Sequence, residues 1–455
     1  MIELRPYQRA SIDALRDAYR AGKRRPLLCA PTGSGKSAMT AYMLGRTSKR
    51  TLYLCHRDEL MGMISDDLTR AGIAHGLIGS TTRTADDGPR IDVGMVQTVA
   101  RRLDRLPDYE FVVSDEAHLA MAKGWLSTLR RFDGAHHLGM SATPCRLDGR
   151  GLGEFFDGIV YGPTIPELTA LGYLAPYRAW APPVDLAGVR KARGEYVMQD
   201  AAERMGATRI VGDAIGEYRK RADGLRALAF CCTVRHAEAV AARFAAAGIP
   251  AAHVDGAMDH DLRRERIAAF RRGELLVLAN VDLLTTGFDC PEIDALIFLR
   301  PTQSLALYMQ MVGRVLRIAP GKLHARLLDH AGVVMQHGLP DTAREWTLDG
   351  RLKRDTAAPA ARQCPECWAV FPPARICPSC GHEFEVKATR GPKEHVAGDL
   401  VEITAPPELP PLREAMRGVR TMADLRRIGR ERGYKPSWAA VVAGKMRLRP
   451  AEDAA

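Results

Sequence analysis

Short apolar runs alternate with amphipathic stretches over the first 160 residues. The apolar runs are 26–30, 51–55, 91–96 and 111–113, and segments with a helical pattern, such as 59–70, lie between them. Short runs of this kind are typical of buried parallel strands joined by crossover helices. The pattern therefore predicts an α/β domain over residues 1–160.

A second set of the same kind predicts another α/β domain over residues 225–345. Its predicted elements are strands at 228–232, 251–254, 275–279 and 295–299 and helices at 236–247 and 261–272. The stretch between the two domains, 161–224, contains five prolines and has poor periodicity. It is predicted to be a connector with some helix.

The composition changes after residue 350. Four cysteines cluster within 360–385, a proline-rich linker follows at 406–411, and the last segment, 412–450, is strongly basic. Residues 413–449 contain eleven Lys and Arg against three Asp and Glu, a net +8 out of +11 for the whole chain. A small metal-binding module and a basic helical tail are expected.

Composition excludes several classes of protein. A chain of 455 residues is too long for one core, so two or three domains are expected. With 46% hydrophobic and 26% charged residues it resembles a soluble globular protein. The sequence contains no apolar run of about 18 residues and begins with no signal-peptide pattern, so we expect a cytoplasmic protein without a membrane partner. The positive charge suggests a polyanionic partner, although basic solvated faces are common.

A glycine-rich run follows the first predicted strand and precedes a helix. The run is Ala30-Pro31-Thr32-Gly33-Ser34-Gly35-Lys36-Ser37. Such a turn directs backbone N–H groups and a helix N-terminus toward a phosphate, Lys36 can reach the β- and γ-phosphates, and Ser37 can hold Mg²⁺. A chance Gly/Ser loop is the alternative, and the strand–loop–helix context argues against it. We therefore predict ATP and Mg²⁺ as ligands, with Thr32, Gly33, Ser34 and Gly35 in the binding loop.

An acidic pair, Asp115 and Glu116, follows the apolar run 111–113. An Asp at the end of such a strand can hold Mg²⁺, and an adjacent Glu can orient and deprotonate an attacking water. A solvated strand end is the alternative, which the upstream glycine-rich loop disfavours. The two motifs together predict a nucleoside triphosphatase.

Three further motifs specify the kind of triphosphatase. They are Gly139-Met140-Ser141-Ala142-Thr143-Pro144, then Thr285-Thr286-Gly287-Phe288-Asp289, and then Gln310-Met311-Val312-Gly313-Arg314-Val315-Leu316-Arg317. In motif order and wording, residues 3–330 resemble the superfamily 2 helicases of the DEAD/DEAH-box kind. The resemblance is greatest to the DEAH-type group with an Arg-Pro-Tyr-Gln start, which includes many bacterial and phage helicases.

This resemblance implies two RecA-like parallel-sheet domains that clamp ATP between them. It implies catalytic roles for Lys36, Asp115, Glu116, Gln310, Arg314 and Arg317, nucleotide contacts from Gly287 and Asp289, and coupling of hydrolysis to movement through Ser141 and Thr143. Arg314 and Arg317 are three residues apart, so on a helix both would face one way, as two arginine fingers require. A basic helix face is the alternative for this pair.

Two weaker resemblances concern ligand recognition. Arg5-Pro6-Tyr7-Gln8 resembles the family's adenine-recognition segment, with Gln8 at the adenine edge and Arg5 near the nucleotide, although a simple helix start would use the same residues. The sequences around His56-Arg57 and Gln97-Thr98 resemble loops that contact the nucleic-acid backbone. Such contacts carry no sequence information, and a surface salt bridge is an equal alternative for each residue.

Cys364, Cys367, Cys377 and Cys380 form two C-x2-C pairs with nine residues between them. Four thiolates at this spacing suit tetrahedral Zn²⁺ in a closed structural site, and the cluster resembles a zinc ribbon. The ribbon and the basic tail could serve nucleic acid, a protein partner or stability alone. In the tail, Tyr434 and Trp438 could stack on bases, or Trp438 could pack on Leu425 and Ile428.

The sequence thus predicts an ATP- and Mg²⁺-dependent helicase or translocase that acts on nucleic acid, with DNA favoured over RNA. A translocase that does not unwind, an RNA helicase and a protein-remodelling ATPase remain alternatives. A non-catalytic nucleic-acid-binding module is disfavoured because every expected catalytic residue is present.

Overall fold

A computed structural model provides the fold. It describes residues 2–79, 88–146, 151–181, 189–192, 195–205, 208–285, 288, 290–349, 361–384, 412–419, 421–432, 439 and 442–443. The chain divides into two compact units, Met1–Val386 and Lys387–Ala455. Among the described residues, no helix is long and apolar enough to span a bilayer.

Seven parallel strands form the sheet of the first domain. In chain order they are β1 (Pro26–Cys29), β2 (Thr51–Cys55), β3 (Gly76–Ile78), β4 (Ile91–Met95), β5 (Phe111–Asp115), β6 (His136–Ser141) and β7 (Gly158–Tyr161). Their order across the sheet is β3-β4-β2-β5-β6-β1-β7. Because β5, β6 and β1 are neighbours, the loops at their carboxyl ends meet at one edge, and these loops contain the acidic pair, Ser141 and the glycine-rich run.

Helices cover both faces of this sheet. They are α1 (Pro6–Arg20), α2 (Lys36–Leu44), α3 (Asp58–Arg70), α4 (Val96–Ala100) and α5 (Lys123–Arg131). The next helix, α6 (Ile165–Ala170), instead packs its buried Ile165 and Leu168 in the core cluster of the second domain. Successive strand residues face opposite layers: Leu28 packs in the cluster that contains Ile12 of α1, whereas Leu27 packs in the cluster that contains Leu129 of α5. Burial on both faces explains the continuous apolar runs of these strands.

The second domain contains a mixed sheet of eight strands. The remaining strands in the part of the chain that the structure describes are β8 (Tyr177–Trp180), β9 (Lys191–Ala192), β10 (Glu195–Tyr196), β11 (Ala227–Cys231), β12 (Ala251–Val254), β13 (Val277–Asn280), β14 (Ala295–Leu299), β15 (Ala325–Asp329), β16 (Arg362–Gln363) and β17 (Ala369–Phe371). The sheet order is β12-β13-β11-β14-β15-β8-β17-β16, and β9 and β10 form a separate hairpin. The strands from β12 to β8 are parallel, and β17 and β16 are antiparallel.

The helices of the second domain follow its strands. They are α7 (Met198–Met205), α8 (Thr208–Ala222), α9 (Val234–Ala246), α10 (His260–Arg272), α11 (Leu305–Val315) and α12 (Val333–His337). With the first sheet, this arrangement confirms the predicted α/β architecture of two RecA-like domains.

The stretch 161–224 contributes directly to the second sheet, although its sequence suggested only a connector. Strand β8 pairs with β15 from Tyr177↔Ala325 to Trp180↔Leu328, and α8 packs against β15. This strand has only four residues and is preceded by Pro176. Such a short run carries too little periodicity to be recognised from sequence.

The cysteine module extends the same sheet. Strand β17 pairs antiparallel with β8 through Ala369↔Trp180 and Val370↔Ala179, and β16 pairs with β17. Beyond the strands, the N–H of Ala181 donates to the carbonyl of Trp368 at 3.0 Å, and Arg221 of α8 donates to the carbonyl of Cys367 at 3.0 Å. The module is therefore built onto the second domain.

The described part of the second unit includes helices α13 (Leu412–Ala415) and α14 (Met422–Glu431). Thr421 caps α14 by accepting from the N–H of Asp424, whose carboxylate accepts from Thr421 in return. Leu425 forms a small apolar cluster with Ala439 and Ala443. Tyr434 and Trp438 lie outside the described residues.

Candidate active site

The glycine-rich loop has the backbone geometry of a phosphate cradle. Gly33 and Gly35 have φ values of +90° and +79°, which favour glycine, and Gly35 is the N-cap of α2. The ammonium of Lys36 lies within the loop and donates to the carbonyls of Ala30 at 3.0 Å and Pro31 at 3.3 Å. Ser37 follows in the first turn of α2. The predicted loop residues are thus together at a helix N-terminus, where an anion is favoured.

The charge of Lys36 depends on the acidic pair. Burial lowers the pKa of Lys36, and the carboxylates of Glu116 and Asp115 oppose that shift. Burial and the repulsion of Glu116 raise the pKa of Asp115 to about 6, while Lys36 and a hydrogen bond from Tyr53 act in the other direction. Two carboxylates and one ammonium therefore share a partly desolvated site, where their mutual interactions are strong.

Glu116 has an unusual backbone. Its φ and ψ are both 50°, a left-handed conformation that is strained for a non-glycine residue. Its N–H donates to Oδ1 of Asp115 at 3.0 Å, and its Oε2 is buried without a hydrogen-bond partner. A buried carboxylate oxygen that lacks a donor is suited to accept from a bound water.

His118 connects the acidic pair to the loop after β6. Its Nδ1 lies 3.4 Å from Oε2 of Glu116 and 3.2 Å from Oγ of Ser141. The Ser141 hydroxyl already donates to the carbonyl of Thr143 at 2.9 Å, so Nδ1 of His118 must be the donor to Ser141. Burial lowers the pKa of His118 to about 4, so the ring is neutral.

Sequence reasoning gave no role to His118, although this residue stands two positions after Glu116. The pairing with Ser141 requires the adjacency of β5 and β6. The sequence alone does not show that β5 and β6 are neighbours, so it could not predict the contact between His118 and Ser141.

The second domain completes the site through α11. A Cβ atom at Gly313 would lie 2.3 Å from Cβ of Thr32, so this helix packs directly on the glycine-rich loop, residues 30–37, which is called the phosphate loop below. Arg314 is only 5% exposed and donates to the carbonyl of Phe288 at 2.7 Å. Burial lowers the pKa of Arg314 to about 10, and the charge of Glu116 opposes the shift. Residues from both domains therefore share one electrostatic environment.

Arg317 and Gln310 are placed differently around α11. The helix ends at Val315, so Arg317 lies beyond it, and the expectation of two arginines on one helix face does not hold. Instead, the backbone of Arg317 forms an isolated antiparallel β-bridge with Leu174, and burial lowers the pKa of Arg317 to about 10. Gln310 lies within the helix and is buried. Gly287 and Asp289 lie outside the described residues.

The predicted adenine-recognition segment contacts the phosphate loop. The Gln8 amide donates to the carbonyl of Ser34 at 3.1 Å and accepts from the N–H of Arg5 at 3.0 Å, and the hydroxyl of Tyr7 also donates to Ser34 at 3.0 Å. An amide offers two donors and two lone pairs. Gln8 therefore retains one donor and one acceptor beside the loop.

The four predicted nucleic-acid residues follow two neighbouring strands of the first domain: His56 and Arg57 come after β2, and Gln97 and Thr98 lie in α4, directly after β4. The Gln97 amide donates to the carbonyl of His56 at 3.4 Å, and Arg57 donates to the carbonyl of Asp282 in the second domain at 3.4 Å. Gln97 is exposed, but Thr98 is buried in α4. Arg57 therefore stands where the two domains meet.

The four cysteine sulfurs have the geometry of a metal site. Sγ of Cys364 lies 3.6 Å from Sγ of Cys380, Sγ of Cys367 lies 3.6 Å from Sγ of Cys377, and all four lie within 4.8 Å of one another. Tetrahedral Zn–S bonds of about 2.3 Å place sulfurs at this kind of separation. A disulfide would need about 2.05 Å. The donor set therefore fits Zn²⁺.

Two family models match the chain in the order of its domains. Residues 1–146 match the model "Type III restriction enzyme, res subunit", and residues 208–319 match "Helicase conserved C-terminal domain". A 51.5 kDa protein of Lactococcus phage (isolate 7-9) is 31% identical over 370 residues, which cover 79% of this chain and 78% of the phage protein.

Fold and site define a P-loop ATPase of two RecA-like domains. Within that class, the chain belongs to the superfamily 2 helicases, ATP hydrolases that act on nucleic acid.

More distant relatives are longer than this chain. IRC3 of Saccharomyces cerevisiae, provisionally named an ATP-dependent helicase, is 28% identical over 359 residues, which cover 72% of this chain and 51% of that protein. A solved fragment of Vibrio vulnificus YJ016, provisionally described as an HsdR subunit of a type I restriction enzyme, has a TM-score of 0.59 at 22% identity. The match covers 74% of this chain and 65% of that fragment, and it supports the fold.

Proposed function

We propose that the chain is a motor that uses ATP hydrolysis to translocate along DNA or to unwind it. The observation that carries the proposal is the packing of Gly313 of the second domain on Thr32 of the first, which places the buried Arg314 within electrostatic reach of Glu116. Because each domain contributes a charged group, opening and closing of the domains would assemble and dismantle the hydrolytic site. A cycle of this kind links hydrolysis to relative domain motion.

Within this proposal, Lys36 and the N–H groups from Thr32 to Ser37 would bind the phosphates. Ser37 and Asp115 would hold Mg²⁺, which supplies charge neutralisation on the phosphates when bound. The raised pKa of Asp115 fits such a role, because a cation there would relieve the repulsion from Glu116. Gln310, Arg314 and Arg317 would stabilise the charge that develops during transfer, with Gly287 and Asp289 as further nucleotide contacts.

Glu116 would act as the general base. Its buried, unpartnered Oε2 would accept a proton from the water that attacks the terminal phosphorus, as the bond to the leaving oxygen breaks. Ser141 and Thr143 would couple this event to movement, since the His118 ring that donates to Ser141 lies 3.4 Å from Oε2 of Glu116.

DNA is proposed as the polymer on two grounds. The first family model and the HsdR fragment are named as restriction enzymes, a class that acts on DNA. The basic tail adds a net +8, which favours a polyanion. The proposed path of the DNA strand is lined by His56, Arg57, Gln97 and Thr98. Because the Thr98 side chain is buried, only its backbone would contact the DNA.

Zn²⁺ is proposed at Cys364, Cys367, Cys377 and Cys380. The support is the spacing of the four sulfurs and the symmetry of the two turns. In each turn, the residue after the second cysteine has a positive φ, 59° at Trp368 and 78° at Gly381. The main-chain pairing with β8 favours a structural role for the metal in bracing the second domain.

Steady-state ATP hydrolysis tests the function. Wild type and Glu116→Gln are compared with no polymer, single-stranded DNA, forked duplex DNA and RNA. We expect DNA to stimulate the wild type and Glu116→Gln to abolish turnover with every polymer. Stimulation by RNA alone would identify an RNA motor, and turnover that ignores all polymers would contradict the motor and favour a protein-remodelling ATPase.

A further inference from the structure

The chain passes from the first sheet to the second through residues 172–175, and this crossover segment touches the nucleotide site at several points. A Cβ atom at Gly33 of the phosphate loop would lie 2.9 Å from Cδ2 of Leu174. Leu174 also bridges to Arg317, and the N–H of Ala175 donates to the carbonyl of Leu316 at 2.8 Å. The segment is therefore a wall of the site, shared by both domains.

Tyr173 is the side chain of this segment that faces the predicted adenine-recognition residues. Its ring centroid lies 5.1 Å from that of Tyr7, with the planes 59° apart, and 4.2 Å from the guanidinium carbon of Arg5. The ring is half-buried. Tyr7 in turn donates to the carbonyl of Ser34 in the phosphate loop, so Tyr173 stands one side chain away from that loop.

The contact between Arg5 and Tyr173 shows what kind of group this surface accepts. A guanidinium is a flat, delocalised group, and its position over an aromatic ring is also the position in which a nucleobase stacks. Arg5 is exposed and hydrogen-bonds through its side chain to the hydroxyl of Tyr7 at 3.2 Å. A base can therefore insert beneath the guanidinium without breaking a buried contact.

Gln8 supplies the complementary polar recognition at the glycine-rich loop, where its amide donates to the carbonyl of Ser34. Its remaining donor and acceptor match the N7 acceptor and the N6 amino donor of adenine. Guanine presents two acceptors at the same positions, so the amide distinguishes the two purines. Tyr173 and Gln8 each contact Arg5, through its guanidinium and its N–H respectively, so stacking and edge recognition would act on the same base.

We propose that Tyr173 is the surface on which the base of ATP stacks, so that the crossover segment is part of the nucleotide site and contributes to base specificity. The proposal rests on the nucleotide site described under the proposed function. It gives a residue outside the helicase motifs a direct contact with the substrate, and it joins base binding to the segment that links the two domains.

Two kinetic constants test the proposal on the full-length protein. The first is the KM for ATP, and the second is the inhibition constant of inorganic tripolyphosphate, a competitor that has phosphates but no base. We expect Tyr173→Ala to raise the KM for ATP about tenfold, the effect of losing one stacked ring, while the inhibition constant stays unchanged. Tyr173→Phe, which keeps the ring, should restore the KM.

Leu171→Ala is the matched control, because Leu171 lies next to the segment and is 58% exposed. An unchanged KM in Tyr173→Ala would overturn the stacking role. An equal rise of both constants would also overturn it, because it would show that Tyr173 only positions the phosphate loop. If the wild type hydrolyses no ATP, or if Lys36→Ala hydrolyses it normally, the nucleotide site itself is wrong and the proposal fails with it.

Discussion

Gly313 of α11 and Thr32 of the phosphate loop approach each other so closely that no side chain fits between them, since a Cβ atom at 313 would lie 2.3 Å from Cβ and 3.0 Å from Oγ1 of Thr32. This approach brings the second domain into contact with the loop that would hold the phosphates. Glycine at 313 is therefore a condition for domain closure.

Gly313→Ala should impair closure without unfolding either domain. Overpacking of this kind costs about 1–3 kcal/mol, so we expect kcat/KM for ATP to fall roughly tenfold or more. Steady-state hydrolysis measures the effect, and circular dichroism checks the fold. Gly216→Ala is the control, because a Cβ atom at Gly216 of α8 meets nothing within 4 Å. Equal activity of the two variants would contradict the closed arrangement.

His118→Ala should uncouple hydrolysis from the polymer. The substitution removes the imidazole that lies 3.4 Å from Oε2 of Glu116 and donates to Oγ of Ser141, while the Ser141 hydroxyl keeps its two hydrogen bonds with Thr143. We expect basal hydrolysis to persist and the stimulation by DNA to fall about tenfold. His75→Ala, which removes a histidine bonded to Ser65 at the start of the edge strand β3, should leave the stimulation intact. Full stimulation in His118→Ala would show that coupling takes another route.

Asp115→Asn should stabilise the protein while it abolishes hydrolysis. The folded pKa of Asp115 is raised to about 6, above its ordinary value near 3.8, so the ionised carboxylate destabilises the folded state at any pH above about 6. In EDTA at pH 8 we expect the free energy of unfolding to rise by roughly 1–3 kcal/mol over wild type. The difference should vanish as the pH falls from 6 to 4.

Denaturant titrations at several pH values measure this difference. Asp133→Asn, at an exposed carboxylate paired with Arg25, is the control for loss of a surface charge. A destabilised Asp115→Asn protein at pH 8 would contradict the electrostatic account of the site.

Removal of one cysteine ligand should release zinc and weaken the second domain. We expect one zinc per wild-type chain and none in Cys367→Ser, with a thermal midpoint lower by about 5 °C, because metal binding contributes to folding of the module that extends the sheet. Cys232→Ser is the control, since its hydroxyl can keep the bond to the carbonyl of Leu299. Full zinc content in Cys367→Ser would remove this thiolate from the ligand set.

The parts of the site that the sequence predicted are those that a single strand and its following loop specify. The glycine-rich loop and the acidic pair each follow one apolar run, so their placement at strand ends could be inferred locally. The pairing of His118 with Ser141 and the approach of Gly313 to Thr32 depend on which strands and domains are neighbours. No local pattern contains that information.

The differences in the second domain have the same physical origin. Strand β8 is too short to have a readable period, and its partners, β15 and β17, lie more than 140 residues further along the chain. The cysteine spacing predicted a compact module correctly. Its main-chain pairing with β8 could not be predicted, because backbone hydrogen bonds are available to any strand edge.

The position of β8 between β15 and β17 has a mechanical consequence. This strand begins two residues after the crossover segment, so a pull between the two domains is transmitted to β8 first. Hydrogen bonds on both sides of a strand share such a load in shear, whereas a strand at an open edge can be peeled away one bond at a time. By pairing with the outer side of β8, the cysteine module thus strengthens the second domain where force from the first domain would reach it.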